Sequence, residues 1–238
     1  MMDSLLTPLS HERGGKRIHS LPSCSMARTK SSNAWLAEHF SDPYVKRAQK
    51  EGYRSRAVYK LKELDARDHL IRPGMTIVDL GAAPGGWSQY ARQRVGVHGR
   101  VVALDILPME PIEGVACLMA DFTDANALSL LEETLAGYPI NLVISDMAPN
   151  IRGIAAADAA RAAHLVELAI EFASNRLAGG GGFVAKVFQG SEFTQFISML
   201  RKLFETVSIR KPPASRARSA EVYVVAKGFR GQPLSGRS

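Results

Sequence analysis

Residues 77–88, with the sequence IVDLGAAPGGWS, constrain the fold of this chain more than any other stretch. An apolar run over 75–80 ends abruptly at glycines, and helix-compatible residues follow. A strand, a tight glycine turn and a helix in this order are how open α/β sheets build a nucleotide pocket. Gly81, Gly85 and Gly86 let the backbone turn sharply and approach a ligand, since they carry no Cβ. The stretch therefore predicts a nucleotide-type pocket on a mainly parallel sheet.

The glycine spacing excludes two common nucleotide sites. A dinucleotide-binding G-x-G-x-x-G motif requires glycine where Ala83 stands, and no Gly-Lys-Ser/Thr follows, so the turn is not a phosphate-binding P-loop. Two interpretations remain. One is an adenosine pocket that need not hold a pyrophosphate, and the other is an ordinary strand–helix turn whose glycines serve packing.

Length and composition narrow the class of protein. A chain of 238 residues predicts one domain of ordinary size with extensions. Cys24 and Cys117 have neither metal-ligand spacing nor the pattern of a disulfide framework, so we expect a reducing compartment and no metal. No apolar run is long enough for a membrane span, and the N-terminus lacks the apolar core of a secretory signal. We expect a cytoplasmic, monomeric protein.

The formal charge of +7 is placed unevenly along the chain. Residues 1–60 carry a net +6, residues 61–200 a net −6 and residues 201–238 a net +7. This arrangement suits a polyanion at the two ends and a small molecule in the middle, although solubilising tails are the alternative. Residues 41–60 interleave cations with tyrosines, a composition typical of RNA surfaces.

The composition along the chain also predicts its domain organisation. Residues 1–30 are rich in Ser, Gly, Pro and Arg without periodicity, and we expect a disordered basic extension there. Folding is expected over 31–230, with 31–60 as the basic RNA-facing part. Residues 231–238 are predicted to be a loose tail.

Pocket-type residues follow four predicted strands. The strands cover 75–80, 100–105, 115–120 and 140–145, and their ends carry Gly81, Asp105, Asp121 and Asp146. Ligands of parallel sheets bind beyond the carboxyl ends of the strands. An acid such as Asp105 commonly accepts both hydroxyls of an adenosine ribose. Asp121, followed by Phe122, suits an adenine amine, but capping the helix at 125–135 is an equal alternative for it.

A long helix over about 158–177, stopped by the glycines at 179–182, leads to a fifth strand at 182–188. Lys186 lies in apolar surroundings near the end of that strand, where a lysine is costly unless paired or functional. If the fourth and fifth strands are neighbours, Asp146 and Lys186 come into contact range. A buried structural ion pair is the alternative to a functional pair.

Two further candidates are weak on the residues alone. Ser55 could cap a helix running to about residue 67, and Lys60 lies off the apolar stripe of that helix, where lysine is usually solvated. Glu221 begins a final strand at 221–226, within an antiparallel hairpin that closes an edge of the sheet. A glutamate at the start of a strand is also usually solvated.

Six blocks in order give the chain a family resemblance, and they are WLAEHFSDPY from 35, GYRSRA from 52, DLGAAPGGWSQ from 79, SDMAPN from 145, KVFQG from 186 and SRARS from 215. On these blocks, 31–229 resembles the FtsJ/RrmJ family of ribosomal RNA 2′-O-methyltransferases. The resemblance implies a Rossmann-like fold with a mostly parallel seven-stranded sheet, an antiparallel edge strand and helices on both faces.

The resemblance also implies a chemistry. It implies S-adenosylmethionine as methyl donor and the ribose of a uridine in 23S RNA of the assembled 50S subunit as acceptor. The implied catalytic set is Lys60, Asp146, Lys186 and Glu221, and the implied cofactor contacts are Gly85, Trp87, Asp105, Asp121 and Asp146. Lys186 would take the hydroxyl proton or, remaining charged, hold the developing oxyanion, while Asp146 orients it and Lys60 and Glu221 position the ribose.

Three alternatives to this function stay open at the level of sequence. A methyltransferase of the same kind could act on transfer RNA or an RNA cap. A ribosome-assembly factor could bind RNA without turnover, although an intact catalytic set counts against it. An NAD-dependent dehydrogenase is disfavoured by the glycine spacing.

Overall fold

Strands and helices alternate along residues 42–149, 153–216 and 219–231, which are the residues that the computed structural model describes. The helices are α1 (Pro43–Glu51), α2 (Val58–Asp68), α3 (Gly86–Val95), α4 (Ala125–Leu135), α5 (Ala155–Arg176) and α6 (Phe193–Leu203). The strands are β1 (Thr76–Leu80), β2 (Arg100–Asp105), β3 (Val115–Met119), β4 (Ile140–Ser145), β5 (Leu177–Phe188), β6 (Phe204–Arg210) and β7 (Glu221–Phe229). The predicted extension at 1–30, the sequence block at 35–41 and most of the predicted tail lie outside the described residues.

The seven strands form one sheet in the order β3-β2-β1-β4-β5-β7-β6. Strands β1 to β5 pair in parallel, and β7 runs antiparallel to both of its neighbours. The predicted fold class is confirmed, and the antiparallel hairpin of β6 and β7 closes one edge of the sheet, with β7 as its inner strand. Pairing of Phe188 with Glu221 brings the start of β7 to the carboxyl ends of the parallel strands.

Helices cover both faces of the sheet and bury two apolar layers. On one face, α4, α5 and α6 contribute side chains such as Leu131, Ala169 and Phe196. On the other face, α2 and α3 contribute Leu61 and Trp87. Parallel strands covered on both faces read as continuous apolar runs, which explains why β1 and β4 were recognisable in the sequence. The covering leaves only the strand ends accessible to ligands.

Two predicted boundaries are wrong. Helix α2 begins at Val58 after Ala57, with no side-chain cap, so Ser55 does not cap it. The long helix ends at Arg176, and the glycines at 179–182 lie inside β5 rather than stopping the helix. The pairing of β5 with β4 shifts register there, and Gly180 has a φ of 79°, which only glycine adopts without strain. The glycines therefore serve a bulge in the strand.

Candidate active site

The carboxyl ends of the first four strands surround a cavity of about 420 Å³. This volume lies within the range of small-molecule sites. Three of the predicted cofactor residues, Asp105, Asp121 and Asp146, contribute to its lining. We call this space the donor cavity. Its three carboxylates outnumber the one guanidinium of its lining, that of Arg161, which favours a ligand that carries positive charge.

Asp105 is held by backbone amides from two different loops. Its Oδ2 accepts a hydrogen bond from the Ala83 amide at 2.9 Å, and its Oδ1 accepts one from the Leu107 amide at 2.8 Å. An ionised carboxylate has about four acceptor positions, so each oxygen of Asp105 keeps one for a ligand. This geometry suits two adjacent hydroxyls, as the sequence predicted for an adenosine ribose.

Asp121 lies exposed at the opposite part of the donor cavity. Its Oδ1 accepts hydrogen bonds from the Thr123 hydroxyl at 2.7 Å and the Thr123 amide at 2.9 Å, and these bonds lower the pKa of the carboxyl. Helix α4 is capped by Asp124 instead, whose side chain accepts from the Asn126 amide. The alternative role of Asp121 as helix cap is therefore wrong. Its Oδ2 remains for a donor group such as an amine.

The glycine turn brings backbone close to neighbouring loops. Gly81 has a φ of 74°, and a Cβ on it would lie 2.5 Å from Cγ of Met147. Gly85 has a φ of 107°, and its Cβ would lie 2.7 Å from Cδ1 of Ile112. Both positions therefore favour glycine for their positive φ, and Gly81 requires it for space as well, since a Cβ there would lie 2.9 Å from Cα of Met147. Gly81 lines the donor cavity.

The Trp87 side chain faces the core rather than the donor cavity. Its indole N–H donates to the Ala57 carbonyl at 2.7 Å, and its ring packs 5.8 Å from the ring of Tyr223. A ligand can meet only the backbone amide of Trp87, which lies in the first turn of α3, where helix amides lack intrahelical partners. The contacts of Gly85 and Trp87 with a cofactor stay predictions.

The four predicted catalytic residues lie together, and we call them the ion-pair cluster. Nζ of Lys186 lies 3.1 Å from Oδ1 of Asp146, and Nζ of Lys60 lies 3.0 Å from Oε1 of Glu221. Nζ of Lys60 also lies 3.8 Å from the same oxygen of Asp146, which joins the two pairs. Lys186 is only 8% exposed and also donates to the Asp146 carbonyl at 2.5 Å. The sequence placed each of these residues correctly at a strand end or on α2.

Tyr223 completes the ion-pair cluster and was missed by the sequence analysis. It is fully buried, and its hydroxyl donates to Oδ1 of Asp146 at 2.6 Å. Burial, with the nearby Asp146 and Glu221 carboxylates, raises its pKa well above the usual value, so it stays a hydrogen-bond donor. The available signal was the period of two in a strand, which puts Tyr223 on the same face of β7 as Glu221.

Asp79 is a second residue that the sequence analysis passed over. It lies in the interior of β1, fully buried, with Oδ2 accepting from the Ser88 hydroxyl at 2.6 Å. Burial raises its pKa to about 7, with smaller contributions from the nearby Asp146 and Asp105 carboxylates, against the lowering effect of Ser88. An acid inside an otherwise apolar strand was the signal in the sequence.

A second cavity of about 480 Å³ borders the ion-pair cluster from the side of α2 and β7. Lys60 and Glu221 line it, together with Arg56 and Arg216. Asp146 lines the donor cavity, so the cluster stands between two spaces. We call this second space the acceptor cavity, since a cationic lining suits a phosphate-bearing ligand.

Within the described ranges, no helix is long and apolar enough to cross a membrane. The same residues contain no group of three or more His, Cys, Asp or Glu side chains arranged to hold a metal ion.

Comparisons with known proteins find relatives that match most of this chain. Over 206 residues the chain is 59% identical to the ribosomal RNA large subunit methyltransferase E of Cellvibrio japonicus, covering 87% of this chain and 98% of that protein. The Legionella pneumophila protein of the same name is 54% identical over 204 residues, with 86% and 99% covered.

Solved structures show the same fold. A Plasmodium falciparum protein described as a ribosomal RNA methyltransferase matches with a TM-score of 0.67 and 29% identity, covering 76% of this chain and all of that one. A fibrillarin/Nop5p complex matches at a TM-score of 0.51 and 16% identity, over 72% of this chain and 83% of that one, which shows the fold alone. The FtsJ-like methyltransferase family matches residues 53–229. The chain belongs to this family, whose chemistry requires a methyl donor.

Proposed function

We propose that this protein transfers a methyl group from S-adenosylmethionine to the ribose 2′-oxygen of a uridine in large-subunit (23S) ribosomal RNA, in the assembled 50S subunit. One observation carries the proposal: the ion-pair cluster separates an acidic donor cavity from a cationic acceptor cavity. The relatives named for large-subunit RNA methylation support the substrate. All four cluster residues come from one chain, so a monomer suffices, and we propose that it acts in the cytoplasm.

The donor cavity fits S-adenosylmethionine in charge and in acceptors. When bound, this cofactor supplies an electrophilic methyl carbon on a cationic sulfonium. Asp105 would accept hydrogen bonds from the ribose hydroxyls at its free acceptor positions, and Asp121 would accept one from the adenine amine. The negative charge of Asp146 would attract the sulfonium. The backbone amide of Trp87, in the first turn of α3, would hold the carboxylate of the methionine part. The Gly85 amide donates to the Ala82 carbonyl at 2.7 Å, so Gly85 would contact the cofactor through the close approach of its backbone.

On the acceptor side, Lys186 is held as a hydrogen-bond donor. Both of its close partners, the carbonyl oxygen and Oδ1 of Asp146, are acceptors. A charged Lys186 would hold the 2′-oxygen as negative charge develops on it. The bound donor would supply the methyl group for the new C–O bond and keep the electron pair of its C–S bond on sulfur, while the hydroxyl proton would leave to water. A neutral Lys186 would instead take this proton itself.

The basic part of the chain offers an RNA surface beside the acceptor cavity. Lys46 and Lys50 on α1 are exposed, and Arg47, also exposed, pairs with Glu51 of the same helix. Arg56, by contrast, is held between Asp42 and the Ala214 carbonyl. We propose that the exposed cations of α1 contact phosphates and that Arg56 shapes the acceptor cavity.

Methyl transfer from labelled S-adenosylmethionine to large ribosomal subunits that lack the modification tests this function. We expect label on a 2′-oxygen of the large-subunit RNA with the unmodified protein, and none with Lys186→Ala. The exposed Lys202 on α6 gives the matched control, and Lys202→Ala keeps full transfer. Label in transfer RNA instead would move the function to the alternative substrate, and binding of both RNAs without transfer would favour an assembly factor.

A further inference from the structure

The side chain of Arg54 is bound to three backbone carbonyls rather than exposed to a phosphate. Its Nη1 donates to the Glu110 carbonyl at 2.5 Å and to the Pro84 carbonyl at 3.3 Å, and its Nη2 donates to the Pro111 carbonyl at 2.8 Å. Composition had assigned Arg54 to the RNA surface. In the described part of the chain it has no carboxylate partner within ion-pair distance, so backbone oxygens are what fix its guanidinium.

The three carbonyls belong to two loops, which also approach each other where Ile112 lies beside Gly85. Pro84 lies in the glycine turn after β1, and Glu110 and Pro111 lie in the loop after β2. Gly85 leaves the space for this contact, since a Cβ there would lie 3.2 Å from Nη1 of Arg54. The backbone of Arg54 is fixed as well, because its amide donates to Oε1 of Gln89 on α3 at 2.9 Å.

The same two loops hold the carboxylate of Asp105. The Ala83 amide comes from the glycine turn, one residue before Pro84, and the Leu107 amide comes from the loop after β2. Leu107 also lines the donor cavity. The distance between the two loops therefore sets how Asp105 points into the donor cavity, and Arg54 bridges the loops.

We propose that Arg54 is a positioning residue of the donor cavity, which sets Asp105 by bracing the glycine turn against the loop after β2. This inference deepens the proposed function and rests on it for the identity of the donor. Arg54 would thereby couple the basic segment at 42–56 to donor binding, and it would not itself bind phosphate.

The test compares Arg54→Ala, Arg54→Lys and Lys46→Ala, with S-adenosylhomocysteine as the donor-site probe and ribosomal RNA fragments as the acceptor probe. Loss of two to three hydrogen bonds predicts that Arg54→Ala weakens binding of S-adenosylhomocysteine about tenfold, with RNA affinity changed less than about twofold. Lysine also donates to carbonyls, so Arg54→Lys restores donor affinity to within about threefold. Lys46→Ala, which removes one exposed charge from the same segment, weakens RNA binding and leaves donor affinity unchanged.

Hydrogen exchange gives a readout that needs no ligand. Amides of Leu107, Met109, Glu110 and Ile112 exchange about tenfold faster in Arg54→Ala than in the unmodified protein, because the loop loses its brace. Unchanged exchange in this loop, or a loss of RNA affinity with donor affinity intact, overturns the proposal. If the unmodified protein does not bind S-adenosylhomocysteine, the proposed donor is wrong, and the exchange comparison still decides whether Arg54 braces the loops.

Discussion

The donor cavity and the ion-pair cluster share Asp146 but are built in different ways. In the donor cavity, backbone amides of short loops orient single carboxylates, as Ala83 and Leu107 orient Asp105. In the cluster, side chains from α2, β4, β5 and β7 orient one another, and Oδ1 of Asp146 lies within contact distance of Lys60, Lys186 and Tyr223. We expect the first arrangement to govern donor affinity and the second to govern the rate. Substitutions that separate affinity from rate therefore test this division.

Lys186→Ala is expected to have the largest effect. Removal of the ammonium leaves the developing charge on the 2′-oxygen without its partner, and we expect a loss of turnover of roughly 10³-fold or more. Affinity for S-adenosylhomocysteine should change less than about threefold, since the donor cavity keeps all its carboxylates. Single-turnover methylation and calorimetric titration give the two values. Normal turnover in this variant, or a loss of donor affinity as large as the loss of turnover, would contradict separate roles for the two regions.

Asp105→Asn is expected to do the reverse. Asparagine keeps the size but has one acceptor oxygen and an NH₂ group that faces an amide donor, so donor affinity should fall roughly 100-fold. Turnover at saturating donor should stay within about threefold, because the ion-pair cluster is untouched. Glu113→Gln is the matched control, since it removes the same charge from the exposed end of the same loop. A fall in turnover at saturating donor, with unchanged donor affinity, would show that Asp105 acts on the rate rather than on donor binding.

Tyr223→Phe sharpens the comparison within the cluster. Phenylalanine keeps the packing against Trp87 but removes the hydroxyl that donates to Asp146. Loss of one hydrogen bond to a charged group predicts a roughly tenfold slower rate and an unchanged donor affinity. Equal rates for the two proteins would mean that Lys186 and Lys60 alone orient Asp146.

Much of the donor cavity was predictable because its acidic residues each follow a predicted strand. Apolar runs mark β1, β2 and β4, and parallel strands bring Gly81, Asp105 and Asp146 to one edge whatever the details of the loops. What the sequence could not show is which loop contacts which. Arg54 looked like a phosphate ligand by composition, and its carbonyl partners lie 30 to 57 residues away.

The ion-pair cluster was predictable only in part. The expected adjacency of the fourth and fifth strands predicted the contact of Asp146 with Lys186. Lys60 and Glu221, on the residues alone, looked like ordinary solvated side chains, and only the family resemblance indicated a role for them. Their 3.0 Å contact depends on β7 being inserted beside β5, a long-range pairing without a local signal. The glycines of β5 gave a wrong prediction for another reason: glycine is typical both of a helix stop and of a bulge in a strand.

Asp79 gives the smallest expected effect, on stability rather than on rate. Its folded pKa of about 7 lies above the ordinary value of about 3.9 for an unfolded aspartate. The folded state therefore binds the proton more tightly, and stability is fully present at low pH and falls as pH rises toward and through 7. Between pH 6 and pH 8 this group should cost on the order of 1 kcal/mol of unfolding free energy.

Denaturant titrations of the unmodified protein and Asp79→Asn at several pH values measure this cost, since the variant lacks the titrating group. The difference in unfolding free energy between the two proteins should change by about that amount over this interval. Ser88→Ala removes the hydrogen bond that lowers the pKa of Asp79, so its fall in stability should occur at higher pH. A difference between the unmodified protein and Asp79→Asn that stays constant from pH 5 to pH 8 would show that Asp79 does not titrate there. In that case Asp79 would be ionised beside the Asp105 and Asp146 carboxylates, and the donor cavity would tolerate three neighbouring negative charges. In the ion-pair cluster, by contrast, each charge contacts a partner of opposite sign.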